Sequence, residues 1–409
     1  MEIGPILRAM WRNKIGAALI AVQIAVTLAV VVNASSIING RIEKISRPIG
    51  IDVDNIFSLH TVGLAQEFNK EEFVRADIQA IGNIPGVRSV SPILNHMQSG
   101  SARMSSYRVM PEVNDDMEIL ANVNYSDENA LATMDIELLA GRFFHADEIR
   151  HITPDFVGEP DKVVITESLG RKLFPEGEIV GRTIYYSDGA QTITIIGVIA
   201  DVATAWIATD RPILADTYYD FMLQPYVEYN TRVSYIIRAE EGALASIIPE
   251  VERVLLEREP DRLIYSVYTQ REILARSYAS DRATVIILVT VTILMALITA
   301  LGIVGLASFS VSQRTRQIGI RRALGARKRD ILRYFFVENL LLTTVGIILG
   351  GVFTVMLSYL LTTQFGGDRL DPVYYPTGVI FLYLLGLIAV FAPARRAAAI
   401  PAAVATRTV

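Results

Sequence analysis

The chain of 409 residues contains no cysteine, which excludes disulfide bonds, thiolate metal sites and cysteine nucleophiles together. It also lacks the Gly-x-x-x-x-Gly-Lys-Ser/Thr loop that holds nucleotide phosphates, the Gly-x-Ser-x-Gly elbow of hydrolases and the His-Glu-x-x-His motif of zinc peptidases. The sequence therefore predicts a chain that is not itself an enzyme, binds no cofactor and does not bind ATP in the usual way.

Four long stretches lack Lys, Arg, Asp and Glu, the residues that a lipid-facing helix avoids. They are residues 15–32, 284–309, about 340–361 and about 373–391. A bilayer core of about 30 Å takes about 20 apolar residues as a helix, and the mean hydropathy of the chain is high, at +0.37. Four transmembrane helices are predicted. A cleaved signal peptide ending before Ser35 is the alternative for the first stretch, but its apolar run exceeds the roughly 7 to 15 residues of a signal core.

The basic residues predict the orientation of these helices, because short cytoplasmic loops carry an excess of Lys and Arg. Residues 1–14, 313–333 and 392–409 carry net charges of +2, +7 and +3, which leaves −17 on the rest of a chain whose total is −5. In a four-helix arrangement the three basic pieces share one side. We expect an inner-membrane protein with both termini in the cytoplasm and one large periplasmic domain between the first two helices.

The large insertion has the alternating pattern of an α+β domain with two subdomains. The segments that predict its strands and helices are 71–93, 161–174, 177–202, 232–240 and 243–257. Within them, Pro85-Gly86 and Ser187-Asp188-Gly189 are turn signals, and Thr166 is a candidate N-cap. No short-period repeat or low-complexity tract interrupts the pattern.

Residues 269–285 have helical spacing and run without Gly or Pro into the second apolar stretch. This predicts one helix that continues out of the membrane as a stalk. Its expected partner is the segment 33–45, in which Gly40 is the weak point of the helix.

His145, Glu148 and His151 are spaced three residues apart, so on one helix they would lie along one face and could hold zinc. A structural zinc site needs four ligands, and no cysteine is available to complete it. A solvated turn is the favoured interpretation, and no metal site is predicted.

The segment 314–333 places eight basic residues and one acidic residue between two apolar stretches. Nucleic-acid binding is disfavoured because no aromatic residues interleave with the arginines. A narrow apolar stripe is formed by Ile318, Ile320, Ala323 and Leu324. Gly319 and Gly325 would limit a short helix at both ends. Charge alone leaves a membrane anchor and a docking element for a soluble partner equally open.

Three residues in or just before the third apolar stretch are candidates for helix packing or for an ion pair. Gly346 and Gly350 form a small-x-x-x-small pattern that allows close approach of another helix, although glycine is common in membrane helices. Glu338 lies one turn before the apolar stretch, where a carboxylate near the interface needs a cationic partner. Arg333 is the candidate partner, and it could equally face water.

Together these segments resemble the FtsX/MacB permease family, of the type VII ABC transporters that transmit mechanical work. The resemblance rests on "QRTRQIGIRRALGARKRDILRYFFVENLLLTTVGIILG" (313–350), "MDIELLAGRFF" (134–144), "VVITESLGRKLFPEGEIVGRTI" (163–184), "ITIIGVIADV" (193–202) and "PARRAAAIPAAVATR" (393–407). It implies four transmembrane helices with a MacB-type periplasmic α+β domain between helices 1 and 2. The sequence departs from the family's usual pattern at two positions: Gln317, where the family commonly has Glu, and Ile179, where Pro is usual.

The resemblance also implies partners and a function. The residues that match the family's coupling helix, which docks on an ABC ATPase, are Gln317, Ile318, Gly319, Ile320, Arg321, Arg322, Ala323, Leu324, Gly325 and Ala326. ATP and Mg²⁺ would bind to an ATPase subunit acting in trans, and a second permease copy or a paralogue would complete a dimer. Export through a periplasmic adaptor and an outer-membrane channel is the expected function. The alternatives are a regulator of a cell-wall hydrolase and a lipoprotein-extracting permease. Nucleic acid is not among the expected partners.

The predicted helices and the family resemblance together give a domain layout for the whole chain. The predicted order is cytoplasmic N-terminus 1–14, first helix with stalk 15–38, periplasmic domain 39–275, stalk with second helix 276–312, coupling loop 313–331, third helix 332–363, short outer loop 364–376, fourth helix 377–393 and cytoplasmic tail 394–409. Membrane lipids are expected to surround the four helices.

Overall fold

The computed structural model describes residues 14–64, 69–95, 97–111, 118–152, 160–186, 191–229, 232–365 and 370–401. The chain divides into two units, with the boundaries after Glu43 and after Ser280. Residues 14–43 and 281–401 are called the membrane unit below, and residues 44–280 are called the inserted domain. The charged residues before Lys14 and the end of the predicted cytoplasmic tail lie outside the described residues.

Eleven helices and thirteen strands occur in the described residues. The helices are α1 Lys14–Ser46, α2 Lys70–Gly82, α3 Ala130–Met134, α4 Glu167–Leu173, α5 Pro212–Ala215, α6 Leu244–Arg258, α7 Gln270–Ser277, α8 Ala279–Gln313, α9 Thr315–Ala323, α10 Lys328–Phe365 and α11 Tyr374–Ala398. The strands are β1 Ile56–Gly63, β2 Val87–Ile93, β3 Arg103–Arg108, β4 Ile119–Tyr125, β5 Leu138–Gly141, β6 Arg150–Ile152, β7 Lys162–Thr166, β8 Thr183–Tyr186, β9 Thr192–Ile199, β10 Phe221–Gln224, β11 Tyr226–Glu228, β12 Arg232–Ala239 and β13 Arg262–Thr269.

Four helices, α1, α8, α10 and α11, are long and apolar enough to cross a membrane. Three of them contain one of the predicted charge-free stretches and extend beyond it at both ends, and α11 begins at Tyr374 and extends beyond the fourth stretch at its C-terminal end. The α+β domain lies in the chain between α1 and α8. The predicted fold class, a four-helix membrane protein with a large domain inserted between its first two helices, is therefore confirmed.

The membrane unit packs around α1. Half of the apolar segment of α1 is buried, against 11% of that of α8, so α1 is the central helix and α8 a peripheral one. Two polar side chains on the buried face of α1 are paired with neighbouring helices, which lowers the cost of their burial. The hydroxyl of Thr27 lies 2.7 Å from that of Thr299 on α8, and the amide of Asn33 donates to the carbonyl of Thr354 on α10 at 3.3 Å.

Gly346 and Gly350 lie where α10 passes closest to α1. A Cβ added at Gly346 would lie 2.6 Å from Cγ2 of Ile24, and one added at Gly350 would lie 2.9 Å from Cδ2 of Leu28. Both distances are shorter than non-bonded contacts of real Cβ atoms. The two glycines therefore allow the close approach for which their spacing is suited.

Replacing Gly346 with leucine is expected to force α10 away from α1. Overpacking of this kind costs about 1–3 kcal/mol, so the variant should unfold at a lower temperature than the wild type in the same detergent. Gly305→Leu is the matched control, because no atom lies within 4 Å of a Cβ added at Gly305 on α8. Equal melting temperatures for the two variants would contradict the packing.

The described strands of the inserted domain form two larger sheets and a third of only two strands. An antiparallel four-stranded sheet has the order β13-β1-β12-β2, and a mixed seven-stranded sheet has the order β5-β9-β7-β10-β4-β3-β8. Side chains alternate across a strand. On β7, Val164 therefore joins the core that includes the four-stranded sheet, while Val163 and Ile165 face a second core. The sheet is thus buried on both faces at β7, whereas its edge strand β5 is exposed.

Most of the predicted local elements are found. The helix, turn and strand predicted over 71–93 are α2 and β2, with Gly86 at a φ of +92° between them. The two strands of 177–202 are the antiparallel pair β8 and β9, and their Ser187-Asp188-Gly189 turn lies outside the described residues. Thr166 occupies the N-cap of α4, but its hydroxyl donates to the carbonyl of Tyr219 at 2.5 Å instead of capping the helix.

The prediction of an uninterrupted stalk helix over 269–285 is wrong. Helix α7 ends at Ser277, and Tyr278 separates it from α8 with φ −89° and ψ 8°. Tyr278 is only 2% exposed, since its ring packs in a small core with Ala203 and Tyr218. Burial of this ring accounts for the interruption, which no Gly or Pro marks in the sequence. Gly40, by contrast, lies inside an unbroken α1.

Asp127 is one source of pH dependence in the inserted domain. It is 5% exposed, accepts a hydrogen bond from Ser91 at 2.6 Å, and burial raises its pKa to about 6 from the usual 3.8. Because the folded state binds this proton more tightly than the unfolded state, the stabilising contribution is full below pH 3.8 and is lost as the pH rises through about 6.

Asp127→Asn removes this titration. Relative to the wild type, the variant should gain about 2 kcal/mol in the free energy of unfolding between pH 4 and pH 7.5. Urea denaturation at the two pH values measures the difference, and Glu241→Gln, in an exposed turn, is the control. A difference between Asp127→Asn and wild type that is the same at both pH values would contradict the assignment.

Candidate functional site

The basic loop between α8 and α10 forms the short helix α9, Thr315–Ala323. Helix α9 therefore begins two residues before the predicted coupling helix, 317–326, and ends three residues before its C-terminal end. Gly325 ends the helix in a left-handed conformation with a φ of +99°, and the N–H of Ala326 donates to the carbonyl of Arg321 at 3.0 Å. This is the usual way in which glycine closes a helix C-terminus.

Helix α9 divides into a buried face and an exposed face. Ile318 and Gly319 are buried in the membrane unit, whereas Ile320 is 44% exposed and Leu324 is 84% exposed. The predicted single stripe is therefore wrong in one respect. Ile318 and Ile320 are two residues apart, which places them about 200° apart around a helix. Ile320, Ala323 and Leu324 remain together as an exposed apolar patch.

The arginine at the start of α9 binds α10. Arg314 donates to Glu338 at 3.1 Å and to the hydroxyl of Tyr334 at 3.0 Å. Arg333, the partner considered for Glu338, does not take part in this pair. Five residues separate it from Glu338, which turns its side chain about 140° away around the helix, while Tyr334 and Glu338 are four apart and lie on one face.

Two further arginines hold the loop in place. The guanidinium of Arg321 lies 5.3 Å from the ring centroid of Tyr334, within the range of a cation–π contact. Arg322 donates to the carbonyl of Ala326 at 3.0 Å, which closes the turn after α9. Together with Arg314, these contacts fix α9 against the first turns of α10.

The exposed basic residues of the segment 314–333 give the surface around α9 a positive charge. They are Arg316, Arg321, Arg327, Lys328, Arg329 and Arg333. An apolar patch on a helix with a basic rim is suited to a groove on a protein whose own rim is acidic. Gln317, where the family commonly has Glu, is exposed on the same helix and adds no charge to this surface.

The His145, Glu148 and His151 side chains do not share a helix face. His145 precedes a single 3₁₀ turn, and His151 lies on β6. Glu148 accepts hydrogen bonds from Arg142 at 2.6 Å and Lys162 at 2.5 Å, and the bond from Arg142 is the main reason why its pKa lies well below the usual range. Within the described ranges, no group of three His, Asp or Glu could hold a metal ion.

Sequence reasoning missed the role of two residues at this site. Arg314 was counted only as part of the charge of the loop, and Tyr334 was not considered. The signal that could have identified them is the spacing of Tyr334 and Glu338, which places a hydroxyl and a carboxylate on one helix face beside a loop rich in arginine.

Two family models match the chain. The MacB-like periplasmic core domain matches residues 17–253, which is more than half of the chain, and the FtsX-like permease C-terminal domain matches residues 289–402. The second match includes all of α9, α10 and α11.

Individual relatives agree with these models. The macrolide export ATP-binding/permease protein MacB of Chromobacterium violaceum is 27% identical over 409 residues, covering 95% of this chain and 58% of that protein. MacB of Shewanella oneidensis is 25% identical, covering 96% of this chain and 58% of its own length. The chain thus spans less than two thirds of the length of these relatives.

Among solved structures, the periplasmic region of MacB from Actinobacillus actinomycetemcomitans aligns with 56% of this chain and 95% of its own, with a TM-score of 0.33 and 14% identity. The family assignment rests on the sequence models, which cover both the inserted domain and the C-terminal helices. The chain belongs to the family of MacB-like, FtsX-type permeases of ABC transporters.

Proposed function

We propose that this chain is the permease subunit of an ABC export system, and that a separate ATP-binding subunit docks on α9. The observation that carries the proposal is the surface of α9, where Ile320 and Leu324 are exposed beside basic side chains while Arg314 fixes the helix to α10. A helix that only anchored the loop to lipid would need positive charge but no rigid mounting. ATP and Mg²⁺ bind to the partner in this scheme.

The membrane unit offers a path along which motion at α9 can travel. Helix α8 contains 35 residues without interruption, which at 1.5 Å per residue makes it about 50 Å long. Its C-terminal end adjoins α9, and near its N-terminal end Asp281 binds Arg41 of α1 at 2.6 Å. Displacement of α9 by the ATPase therefore moves α8, which leads in the chain to the inserted domain.

The orientation follows from the same scheme. If an ATPase binds α9, then α9 and both termini face the cytoplasm, and the inserted domain lies in the periplasm of an inner-membrane protein. The net charge of +7 on residues 313–333 agrees with this orientation.

The proposed output is mechanical. Movement of the inserted domain drives a substrate through a periplasmic adaptor and an outer-membrane channel. The match of residues 17–253 to the MacB-like periplasmic core domain supports export over regulation of a cell-wall hydrolase. The assembly contains a second permease, either another copy or a paralogue.

Gentle purification of the tagged full chain from its native membrane, with identification of the co-purifying proteins, tests this function. An ABC ATPase recovered with an adaptor would support the export system. An ATPase recovered with a peptidoglycan hydrolase would favour the regulator, and an ATPase alone that increases its turnover with lipoprotein would favour extraction. Absence of any ATP-binding protein would contradict the proposal.

A further inference from the structure

Helix α7, the last helix before α8, is hydrogen-bonded at both ends to one residue outside it. The side-chain amide of Gln270, its first residue, donates to the side-chain oxygen of Gln98 at 2.6 Å. The hydroxyl of Ser277, its last residue, donates to the backbone carbonyl of Gln98 at 2.7 Å. Residues seven apart lie about 20° from each other around a helix, so both bonds are on one face of α7. Gln98 therefore holds that face along its whole length.

Gln98 has a backbone conformation that glutamine rarely adopts. Its φ is +57°, in the left-handed region. The residue is 0% exposed although its side chain is polar. Its side-chain nitrogen donates to the carbonyl of Ala203, so both polar atoms of the buried amide have partners. A residue other than glycine stays in this conformation only where its surroundings determine it. The contacts with α7 and Ala203 are those surroundings.

The segment that contains Gln98 is itself bound to the rest of the inserted domain. It connects β2 of the four-stranded sheet with β3 of the seven-stranded sheet. The N–H of Gly100 donates to the carbonyl of Ala205 at 2.8 Å. Ala203 and Ala205 follow β9 of the seven-stranded sheet. Through Gln98, α7 therefore has an attachment to the chain after β9 in addition to its covalent attachment to β13.

Helix α7 is also the helix of the inserted domain that a displacement of α8 reaches first, because only Tyr278 separates the two helices. A short helix attached only through single residues at its ends can turn as a separate piece, and a displacement is then absorbed at those ends. The hydrogen bonds to Gln98 oppose such a turn, since they connect the first and the last residue of α7 to one fixed point.

We propose that Gln98 is a positioning residue that makes α7 move as one body with the inserted domain. This inference rests on the proposed function, in which an ATPase displaces α8 through α9. With the Gln98 contacts in place, a displacement of α8 is passed to both larger sheets of the domain. Without them, α7 turns about Thr269 and Tyr278, and ATP hydrolysis continues while the domain stays in place.

The double variant Gln98→Met and Gln270→Met tests this role. Replacing both partners of a buried hydrogen bond with apolar side chains of similar shape is nearly neutral for stability, so this variant should melt near the wild-type temperature. Ser277→Ala removes the bond at the other end of α7 and is the second variant. The control is Ser89→Ala with Thr133→Val, whose hydroxyls lie 2.6 Å apart beside β2, at the opposite edge of the four-stranded sheet from β13.

Hydrogen exchange of the full chain in nanodiscs measures whether α7 is held in place, and this measurement needs no ATPase. The amides of α7 should exchange about tenfold faster in the Gln98/Gln270 double variant than in the wild type, because hydrogen bonds that oppose opening of the helix are lost. Ser277→Ala should act in the same direction, and the control should leave the rate unchanged. Equal rates in all four proteins would overturn the role of Gln98.

Spin labels measure the transmission itself. The chain has no cysteine, so cysteines introduced at the exposed positions Leu256 of α6 and Leu301 of α8 would carry the only labels. With the co-purified ATPase bound, trapping of ATP hydrolysis by vanadate should change the distance between the labels in the wild type and in the control. The change should be lost in the Gln98/Gln270 double variant, while ATPase binding and ATP turnover persist.

The outcomes separate this inference from the proposed function. If the distance changes equally in the wild type and in the Gln98/Gln270 double variant, the inference is overturned and the proposed function stands. Loss of ATP turnover together with the distance change would indicate a general defect and would also contradict the inference. If no ATPase binds the wild type, the proposed function is overturned, and the inference is overturned with it.

Discussion

Replacing Asp77 with alanine is expected to destabilise the inserted domain by about 3–5 kcal/mol, the cost of removing one partner from a buried ion pair. Asp77 is fully buried and accepts hydrogen bonds from both terminal nitrogens of Arg262 at 2.8 Å. Arg258 and the hydroxyl of Tyr235 also donate to it, at 3.0 and 2.8 Å. The side chain of Arg262 is itself 0% exposed, so alanine at position 77 leaves a buried guanidinium without its carboxylate.

The size of this effect follows from the position of the cluster. Helix α2 carries Asp77, helix α6 carries Arg258, strand β13 carries Arg262, and strand β12 carries Tyr235. The carboxylate therefore joins four elements of one unit. Because a domain is stable by only about 5–15 kcal/mol, the loss removes about a fifth or more of the total.

Urea denaturation of the full chain, followed by tryptophan fluorescence, measures the loss. The chain has two tryptophans, and in a Trp11→Phe background Trp206 reports on the inserted domain alone. Glu250→Ala is the control, because Glu250 forms a similar contact with Arg253 on an exposed surface and should leave the midpoint unchanged. An Asp77→Ala midpoint equal to that of the wild type would show that the cluster does not stabilise the domain.

The double substitution Ile320→Asp and Leu324→Asp is expected to weaken binding of the ATP-binding subunit on the order of 100-fold. The two side chains form the exposed patch of α9, and removal of one anchor from an interface costs about 1–3 kcal/mol. Neither side chain packs in the core of the membrane unit, so insertion and folding should be unaffected. The measurement is binding of the co-purified ATPase to permease in nanodiscs, with its ATP turnover.

Leu256→Asp is the matched control for this double variant. Leu256 is 43% exposed on α6 of the inserted domain, so it undergoes the same chemical change on a different surface. Arg322 is a poorer target than Leu324, because its hydrogen bond to Ala326 closes the turn after α9. Unchanged binding by the double variant would exclude the patch as the docking surface.

The sequence was sufficient to predict the membrane helices and most elements of the inserted domain. Long stretches without charge have one physical interpretation, and turn residues such as Pro85-Gly86 act locally. The break at Tyr278 could not be predicted, because its cause is burial of the ring beside Tyr218, a residue 60 positions away along the chain.

At the candidate site, too, features set by local sequence were predicted, and features set by contacts between distant residues were not. The end of α9 at Gly325 and the exposure of Leu324 follow from the local sequence, whereas the expectation that Gly319 limits the helix at its other end is wrong, because Gly319 lies buried within α9. The inward position of Ile318 depends on packing in the core of the membrane unit. The ion pair between Arg314 and Glu338 depends on how the loop after α8 returns to α10. The Asp77 cluster joins residues separated by more than 150 positions, and no spacing rule brings them together.

A photo-crosslinking residue at position 324, introduced into the full chain in its native cells, tests the central claim most directly. The account predicts that irradiation joins this position to an ABC ATPase subunit, identified by mass spectrometry, and that the same residue at position 256 does not capture it. Failure to capture any ATP-binding protein at position 324, or equal capture at both positions, would contradict docking on α9.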